Sequence, residues 1–201
     1  MWRPTECSGP RRFSRRLARR RPVSQPTPAL AELAELDVAH VVHRHGPVDT
    51  SRAYGVAVAA ALGIPTDRAC KTLVALVDDR PVAVVLPVSR RLAPKRLAKA
   101  ASGRRAQLAD AATAERLTGY VVGGISPFGM RRRLPVWVDR RVLDQPTVFV
   151  SAGRRGLQVE LAPTDLVDAT GAIVADLADQ SSNASLDPTA TSSRPRGVSR
   201  A

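Results

Sequence analysis

The chain has 201 residues, of which 44% are hydrophobic and only 3% aromatic, and its formal net charge is +13. This length suits one domain with tails, in which Ala, Val and Leu must fill the core. No apolar run approaches the roughly 20 residues of a membrane span and no signal-peptide pattern is present, so a cytoplasmic protein without membrane contact is expected. The two cysteines, Cys7 and Cys70, lie far apart in sequence, which argues against a disulfide.

The positive charge is concentrated at the two ends of the chain. Residues 1–26 hold eight arginines and one acidic residue, whereas residues 27–179 hold 20 basic and 16 acidic residues. We expect a basic disordered leader at 1–26, a folded domain at 27–179 and a disordered tail, rich in Ser, Thr, Asn and Pro, at 180–201. The leader is interpreted as an RNA-binding arm, a solvated low-complexity tail or an organelle transit peptide, or as the result of a start codon assigned too far upstream.

The first half of the domain predicts two helices, one strand and a hairpin. Apolar spacing and turn residues give their bounds, and Asp49 or Thr50 is the expected N-cap of the second helix, with Gly63 just past its end. In chain order the predictions are a helix at Ala29–Leu36, a strand at Val38–His43, a helix at Asp49–Leu62, and a hairpin of Ala69–Val77 with Pro81–Leu86.

The second half predicts three helices and three strands. The helices are Pro94–Ala101, Asp110–Leu117 and one from Pro163 to Ala169, and the strands are Pro135–Val138, Thr147–Val150 and Leu157–Leu161. The sequence does not decide the structure of Ala172 to Ala178. Strands outnumber helices and mostly follow one another, which favours an α/β fold with a mixed, largely antiparallel sheet or pseudo-barrel and flanking helices over a doubly wound fold.

Residues 118–139, TGYVVGGISPFGMRRRLPVWVD, combine three glycines, a Ser-Pro corner and three arginines. Such a loop can bring main-chain N–H groups close to a ligand, as an anion cradle or an oxyanion hole. Ser126 lacks the second glycine of a nucleophile elbow, which argues against a serine hydrolase. The arginines Arg131, Arg132 and Arg133 suit phosphate binding or a solvated surface.

Three further residue types can carry chemistry. His40, His43 and His45 are the only histidines, and they are either ordinary polar residues or part of a metal site whose other ligands the sequence does not identify. Cys70 is either a nucleophile or a packed thiol. Lys71 lies within an apolar strand, where a lysine faces a cleft or an anionic partner, or extends its ammonium to water from an edge strand.

Four ordered motifs resemble the YbaK family of aminoacyl-tRNA deacylases, in particular its Cys-tRNA(Pro) deacylase branch. They are CKTLVAL at 70–76, TGYVVGGISPFG at 118–129, RRLPVWVD at 132–139 and SAGRRGLQVELAP at 151–163. The resemblance covers about residues 27–179. It implies a fold similar to the editing domain of prolyl-tRNA synthetases. It also implies hydrolysis of the ester of a mischarged tRNA in trans, with no metal or organic cofactor and no protein nucleophile.

The resemblance also assigns candidate site residues. Lys71 matches a lysine that holds the tRNA 3′ end, and Gly123, with Gly124 beside it, and Pro127 match a loop whose N–H groups stabilise charge on the carbonyl oxygen. The other residues matched to the pocket are His45, Tyr54, Thr72, Ser126, Ser151 and Gln158. Of these, Ser126 is part of the turn. His45 stands where close relatives have tyrosine, and Gln158 where they have an acidic residue, which puts cysteine as the substrate in question.

The sequence therefore predicts an editing enzyme for mischarged tRNA, with Cys-tRNA(Pro) as its substrate. The alternatives are a deacylase for another small amino acid, such as alanine on tRNA(Pro), and a non-catalytic RNA-binding module. The expected partner is mischarged tRNA, contacted in part by Arg131 to Arg133. Prolyl-tRNA synthetase is a possible second partner, and DNA is not an expected one.

Overall fold

The structure, a computed structural model, describes residues 26–48 and 53–179. The predicted leader, apart from Pro26, lies outside the described residues, as do the predicted tail and the predicted N-caps Asp49 and Thr50. In the described residues no helix is long and apolar enough to cross a membrane.

Five α-helices and eight strands are present in these ranges. They are α1 Pro28–Glu35, β1 His40–Arg44, α2 Tyr54–Leu62, β2 Cys70–Val77, β3 Arg80–Pro87, α3 Pro94–Ala100, β4 Ala106–Leu108, α4 Ala111–Thr118, β5 Val136–Asp139, β6 Val148–Ser151, β7 Leu157–Leu161, α5 Pro163–Thr170 and β8 Ile173–Ala175. A 3-10 turn at Arg140–Asp144 follows β5.

The strands form two sheets that meet at one point. One sheet has the order β1-β7-β6 and is antiparallel, and the other has the order β4-β2-β3-β5-β8, with parallel pairing only at β3/β5 and β5/β8. The sheets join where the Phe149 N–H donates to the carbonyl of Arg68 at 2.9 Å, just before β2 begins. The predicted mixed, largely antiparallel α/β fold is confirmed, as two open sheets.

Local sequence accounts for most element ends. Thr27 caps α1 through its hydroxyl, and Asp110 caps α4 by accepting from the Thr113 N–H at 2.8 Å. Asp78 and Asp79 both have positive φ, the backbone that a two-residue hairpin turn between β2 and β3 requires. Each of these ends follows from residues that are neighbours in sequence.

Three expectations change in the structure. The second helix begins at Tyr54 rather than at Asp49. Its N-cap is Ala53, whose backbone is not helical (φ −55°, ψ 122°) and whose side chain provides no cap. The short strand β4 was not predicted, since three partly exposed residues carry no clear alternation. Within the undecided 172–178 stretch, Ile173–Ala175 forms the edge strand β8, paired in parallel with β5.

Two apolar cores lie on the two faces of the five-stranded sheet. Cys70, Val74 and Val85 belong to the larger core, which also packs α1, α4, α5 and the three-stranded sheet. Ala75, Val84 and other residues of the opposite face belong to the smaller core, which packs α3. Because side chains alternate along β2, its residues divide between the two cores, and this alternation decides where Lys71 and Thr72 point.

Candidate functional site

The main pocket has a volume of about 400 Å³ and lies where the two sheets meet. Its walls are mostly apolar and come from α2, β2, the start of α4, β6, β7 and the loop before Ile125. Six of the predicted site residues line it, namely Tyr54, Lys71, Thr72, Gly123, Ser151 and Gln158. Residues up to about a hundred positions apart in the chain thus line one cavity. A concave, mostly apolar cavity with a few polar groups is typical of a site for a small ligand.

Three hydroxyl groups of the main pocket are buried without a partner. The hydroxyl oxygens of Tyr54, Thr72 and Ser151 have no hydrogen-bond partner in the part of the chain that the structure describes. An unpaired buried hydroxyl costs about 1–3 kcal/mol, and folded proteins rarely keep several of them close together. All three residues line the main pocket, so their hydroxyls are candidate partners for a polar ligand that enters it.

Lys71 lies at the rim of the main pocket. Because side chains alternate along a strand, Lys71 points to the α3 face of the sheet and Thr72 to the opposite face. Both line the pocket, since β4 pairs only with residues 75–77 of β2 and leaves the edge at Lys71 and Thr72 uncovered. The Lys71 ammonium donates to the main-chain carbonyl of Arg90. Burial, and secondly the nearby Arg91, lower the pKa of Lys71 below its ordinary value of 10.5. The site thus holds a half-buried cation that suits an anionic group.

The glycine loop, residues 121–129, has its main-chain donors partly occupied. The Gly124 N–H donates to the Val121 carbonyl at 2.8 Å, and the Val122 N–H donates to the Glu115 carboxylate at 2.9 Å. The N–H groups of Gly123 and Ile125, which both line the main pocket, have no acceptor among the described residues. These two amides are the loop donors available to a ligand.

The other predicted loop residues lie behind the pocket wall. Gly124, Ser126 and Pro127 are buried and do not line the main pocket, and Ser126 Oγ accepts from the Phe128 N–H at 3.2 Å. A Cβ on Gly124 would come within 3.0 Å of the Arg154 main chain. Ser126 therefore stabilises the turn, and the absence of a side chain at Gly124 lets the loop pack on the β6–β7 hairpin.

Gln158 and His45 occupy different places. Gln158 is buried in the main pocket opposite Ser151 in the β6/β7 register. His45 lines a smaller neighbouring cavity with Tyr54 and Arg155, and its Nδ1 lies 2.8 Å from the Gly46 carbonyl. The structure thus brings Gln158, but not His45, to the main pocket.

The arginines divide in a way that the sequence did not indicate. Arg131, Arg132 and Arg133 are exposed, and none of them lines the main pocket; Arg133 lines a separate cavity beside α1. Arg155, at the tip of the β6–β7 hairpin, donates twice to the Val122 carbonyl and stacks over the Tyr54 ring. Nothing in the local sequence distinguishes Arg155 from its charged neighbours, because its partners lie more than thirty residues away.

The remaining candidates for chemistry are the cysteine and the histidines. Cys70 is buried in the larger core and also lines the main pocket, and burial raises the pKa of its thiol to about 12, which favours a packed thiol over a nucleophile. His43 bonds to the carboxylate of Glu160 at 2.9 Å. Among the residues that the structure describes, no group of three or more His, Cys, Asp and Glu could hold a metal ion.

Comparisons with known proteins identify the family of the chain. A family model described as "Aminoacyl-tRNA editing domain" matches residues 49–169. The protein named "Putative Cys-tRNA(Pro)/Cys-tRNA(Cys) deacylase EbsC" from Enterococcus faecalis is 36% identical over 121 residues, which are 60% of this chain and 74% of that protein.

Two solved structures share the fold. The hypothetical protein APE2540 has a TM-score of 0.69 and 30% identity, over 76% of this chain and 99% of its own. A structure described as a putative trans-editing enzyme for prolyl tRNA synthetase has a TM-score of 0.62 and 25% identity, over 70% of this chain and 87% of its own. The fold class predicted from the sequence and the predicted YbaK-type resemblance are confirmed, and the chain belongs to the aminoacyl-tRNA editing domain family.

Proposed function

We propose that the protein removes cysteine from Cys-tRNA(Pro) in trans and that the main pocket holds the aminoacyl ester. The observation that carries this proposal is that one apolar pocket is lined by Lys71, by three residues whose hydroxyls have no partner among the described residues, and by two loop residues whose N–H groups have none there either. A small side chain can sit against the apolar walls, while the ester and the ribose carry the polar atoms that those donors and acceptors require.

Each group has a distinct role in the proposed complex. The N–H groups of Gly123 and Ile125 donate to the ester carbonyl oxygen, where negative charge develops, and donors of this kind are worth about 3–4 kcal/mol. Lys71 binds a phosphate at the 3′ end of the tRNA. The hydroxyls of Thr72 and Ser151 bond to the amino group or the ribose, and Tyr54 closes the α2 side of the pocket.

The bond cleavage needs no nucleophile from the protein. The substrate's cysteine sulfur attacks its own carbonyl carbon, a sulfur–carbon bond forms, and the ester carbon–oxygen bond to the ribose breaks. The thiol proton ends on the ribose oxygen, and cysteine leaves as a cyclic thiolactone. Cys70 does not take the attacking role, since its thiol stays protonated at neutral pH.

The decisive experiment is single-turnover deacylation of purified Cys-tRNA(Pro) by the full-length protein. Release of cysteine well above the spontaneous rate is expected, with a strong loss in Lys71→Ala. A second substrate, tRNA(Pro) carrying 2-aminobutyrate, replaces the thiol by a methyl group and should react at the background rate. Equal background rates for the protein and for Lys71→Ala on Cys-tRNA(Pro) would reject the assignment.

Gln158 supports a second candidate substrate. A neutral amide stands on the pocket wall opposite Ser151, and a carboxylate there would attract the substrate's ammonium group more strongly. Loss of that charge favours a broader choice of small amino acids, including alanine on tRNA(Pro), because one methylene changes binding by only about 1–3 kcal/mol. Alanine has no thiol, so in this second candidate a water molecule attacks the ester carbonyl carbon, its hydroxyl stays on the released carboxyl group and its other hydrogen ends on the ribose oxygen. A panel of mischarged tRNAs tested with Gln158→Glu, with and without prolyl-tRNA synthetase, decides the amino acid and tests the synthetase as a partner.

A further inference from the structure

We infer that Arg155 is a positioning residue that holds the Val122–Gly123 peptide group in the orientation needed to bind the ester carbonyl. This inference rests on the proposed function of the main pocket. Arg155 lies at the tip of the β6–β7 hairpin and does not line that pocket, so it acts on the substrate through the glycine loop.

The guanidinium of Arg155 contacts the loop through two of its nitrogens. Its Nε and Nη2 donate to the same acceptor, the Val122 carbonyl oxygen, at 2.9 and 2.7 Å. The Arg155 Cζ also lies 5.8 Å from the centre of the Tyr54 ring, which itself lines the main pocket. One side chain therefore fixes both the loop and the aromatic residue across from it.

Peptide geometry transmits this contact to the pocket. The Val122 carbonyl and the Gly123 N–H belong to one planar trans peptide group, in which the C=O and N–H bonds point in opposite directions. Because Arg155 holds the carbonyl on one side of the loop, the Gly123 N–H points to the other side. That N–H has no acceptor among the described residues, and Gly123 lines the main pocket.

Val122 is held from its N–H side as well. Its N–H donates to the Glu115 carboxylate at 2.9 Å, so α4 and the β6–β7 hairpin each contribute one charged side chain to a single residue. A cation on the carbonyl also polarises the whole amide and strengthens its N–H as a donor. Arg155 thus has two effects on Gly123, since it sets the direction of the N–H and increases its partial positive charge.

The space around Gly123 agrees with this arrangement. Gly123 has a φ of 87°, and a Cβ there would lie 3.1 Å from Arg155 Nε and 3.3 Å from the Tyr54 ring. A Cβ at residue 123 would therefore push the guanidinium or the ring away by a few tenths of an ångström.

The test compares Arg155→Ala, Arg155→Lys and the matched control Arg154→Ala, all in the full-length protein with Cys-tRNA(Pro). We expect kcat to fall about 10- to 100-fold in Arg155→Ala with KM changed less than threefold, since a misplaced catalytic group costs rates of this order. Arg155→Lys keeps the charge but loses the pair of donors, so its kcat is expected to lie between those of Arg155→Ala and the wild type. Arg154→Ala should keep the wild-type kcat.

A role in RNA binding alone would raise KM and its salt dependence and leave kcat unchanged, and this result would overturn the inference. A second readout does not depend on activity: the amide resonance of Gly123 in ¹⁵N-labelled protein should shift in Arg155→Ala and stay in place in Arg154→Ala. An unmoved resonance would also overturn it. Absence of deacylation by the wild-type protein, together with a shifted Gly123 amide in Arg155→Ala, would reject the proposed function and leave the positioning contact standing.

Discussion

Gly123 gives the sharpest test of the glycine loop. In Gly123→Ala the new Cβ has two separate effects, one on the backbone and one on its neighbours. The φ of 87° lies in the left-handed region, where a residue with a Cβ costs about 1–2 kcal/mol. The Cβ would also lie 3.1 Å from Arg155 Nε and 3.3 Å from Tyr54 Cε1, so one of these groups must move by a few tenths of an ångström.

Gly171 separates the two effects. It ends α5 with a φ of 60°, and a Cβ there meets no atom within 4 Å. Gly171→Ala therefore has the same kind of backbone cost without the contact at the pocket. Both variants should lower the melting temperature by about 2–8 °C, because 1 kcal/mol shifts a domain of this size by about 2–4 °C.

The two variants should differ in activity. Displacing Tyr54 or Arg155 moves the pocket wall and turns the Gly123 N–H, so we expect Gly123→Ala to lower the single-turnover rate about 10- to 100-fold. Gly171→Ala should stay within about twofold of the wild-type rate. Melting curves and single-turnover deacylation, measured at the same temperature, check both values. A wild-type rate in Gly123→Ala, or an equal loss in Gly171→Ala, would refute this account of the loop.

Three further changes address stability and the pocket. Asp139→Ala should lower the free energy of unfolding by about 2–4 kcal/mol in chemical denaturation, because its buried carboxylate accepts from the N–H groups of Leu177 and Ala178 at 2.8 Å each. Hydrogen bonding from Thr147, and then His43 and Arg68, lowers the pKa of Glu160 below its ordinary value of 4.5. The ionised carboxylate therefore stabilises the fold above pH 4.5, and this stabilisation is lost as the pH falls through the lowered pKa. The difference in unfolding free energy between wild type and Glu160→Gln should shrink over that pH range. Thr72→Val removes an unpaired buried hydroxyl, so unfolding should show equal or higher stability while deacylation slows; lower stability would count against an unsatisfied hydroxyl at this position.

The elements that the sequence predicted correctly are those whose cause is local. The Leu157–Leu161 strand and the Pro94 helix start depend on alternation and on proline chemistry within a few residues. By contrast β8 exists because β5 offers a parallel edge to Ile173–Ala175, and this partner lies more than thirty residues earlier in the chain. Pairing of that kind leaves no mark in the strand's own sequence.

The candidate site divides in the same way. The fold brings residues of three motifs, Lys71, Gly123 and Ser151, to one pocket. The motifs did not indicate which side of the glycine loop faces that pocket, and Pro127 is on the buried side, against the cavity next to α1. Orientation within a loop depends on its tertiary contacts, here those of Arg155 and Glu115 with Val122.

The unpaired hydroxyls connect the stability of this fold to its proposed activity. Tyr54, Thr72 and Ser151 each bury a hydroxyl without a partner among the described residues, and every such group lowers the free energy of unfolding by about 1–3 kcal/mol. Hydrophobic packing alone would favour Phe, Val and Ala at these positions. A ligand that hydrogen-bonds to these hydroxyls removes this cost on binding. The gain in binding free energy is largest when the ligand bonds to all three hydroxyls at once. Under the proposed function, the same groups therefore select a substrate whose polar atoms match them.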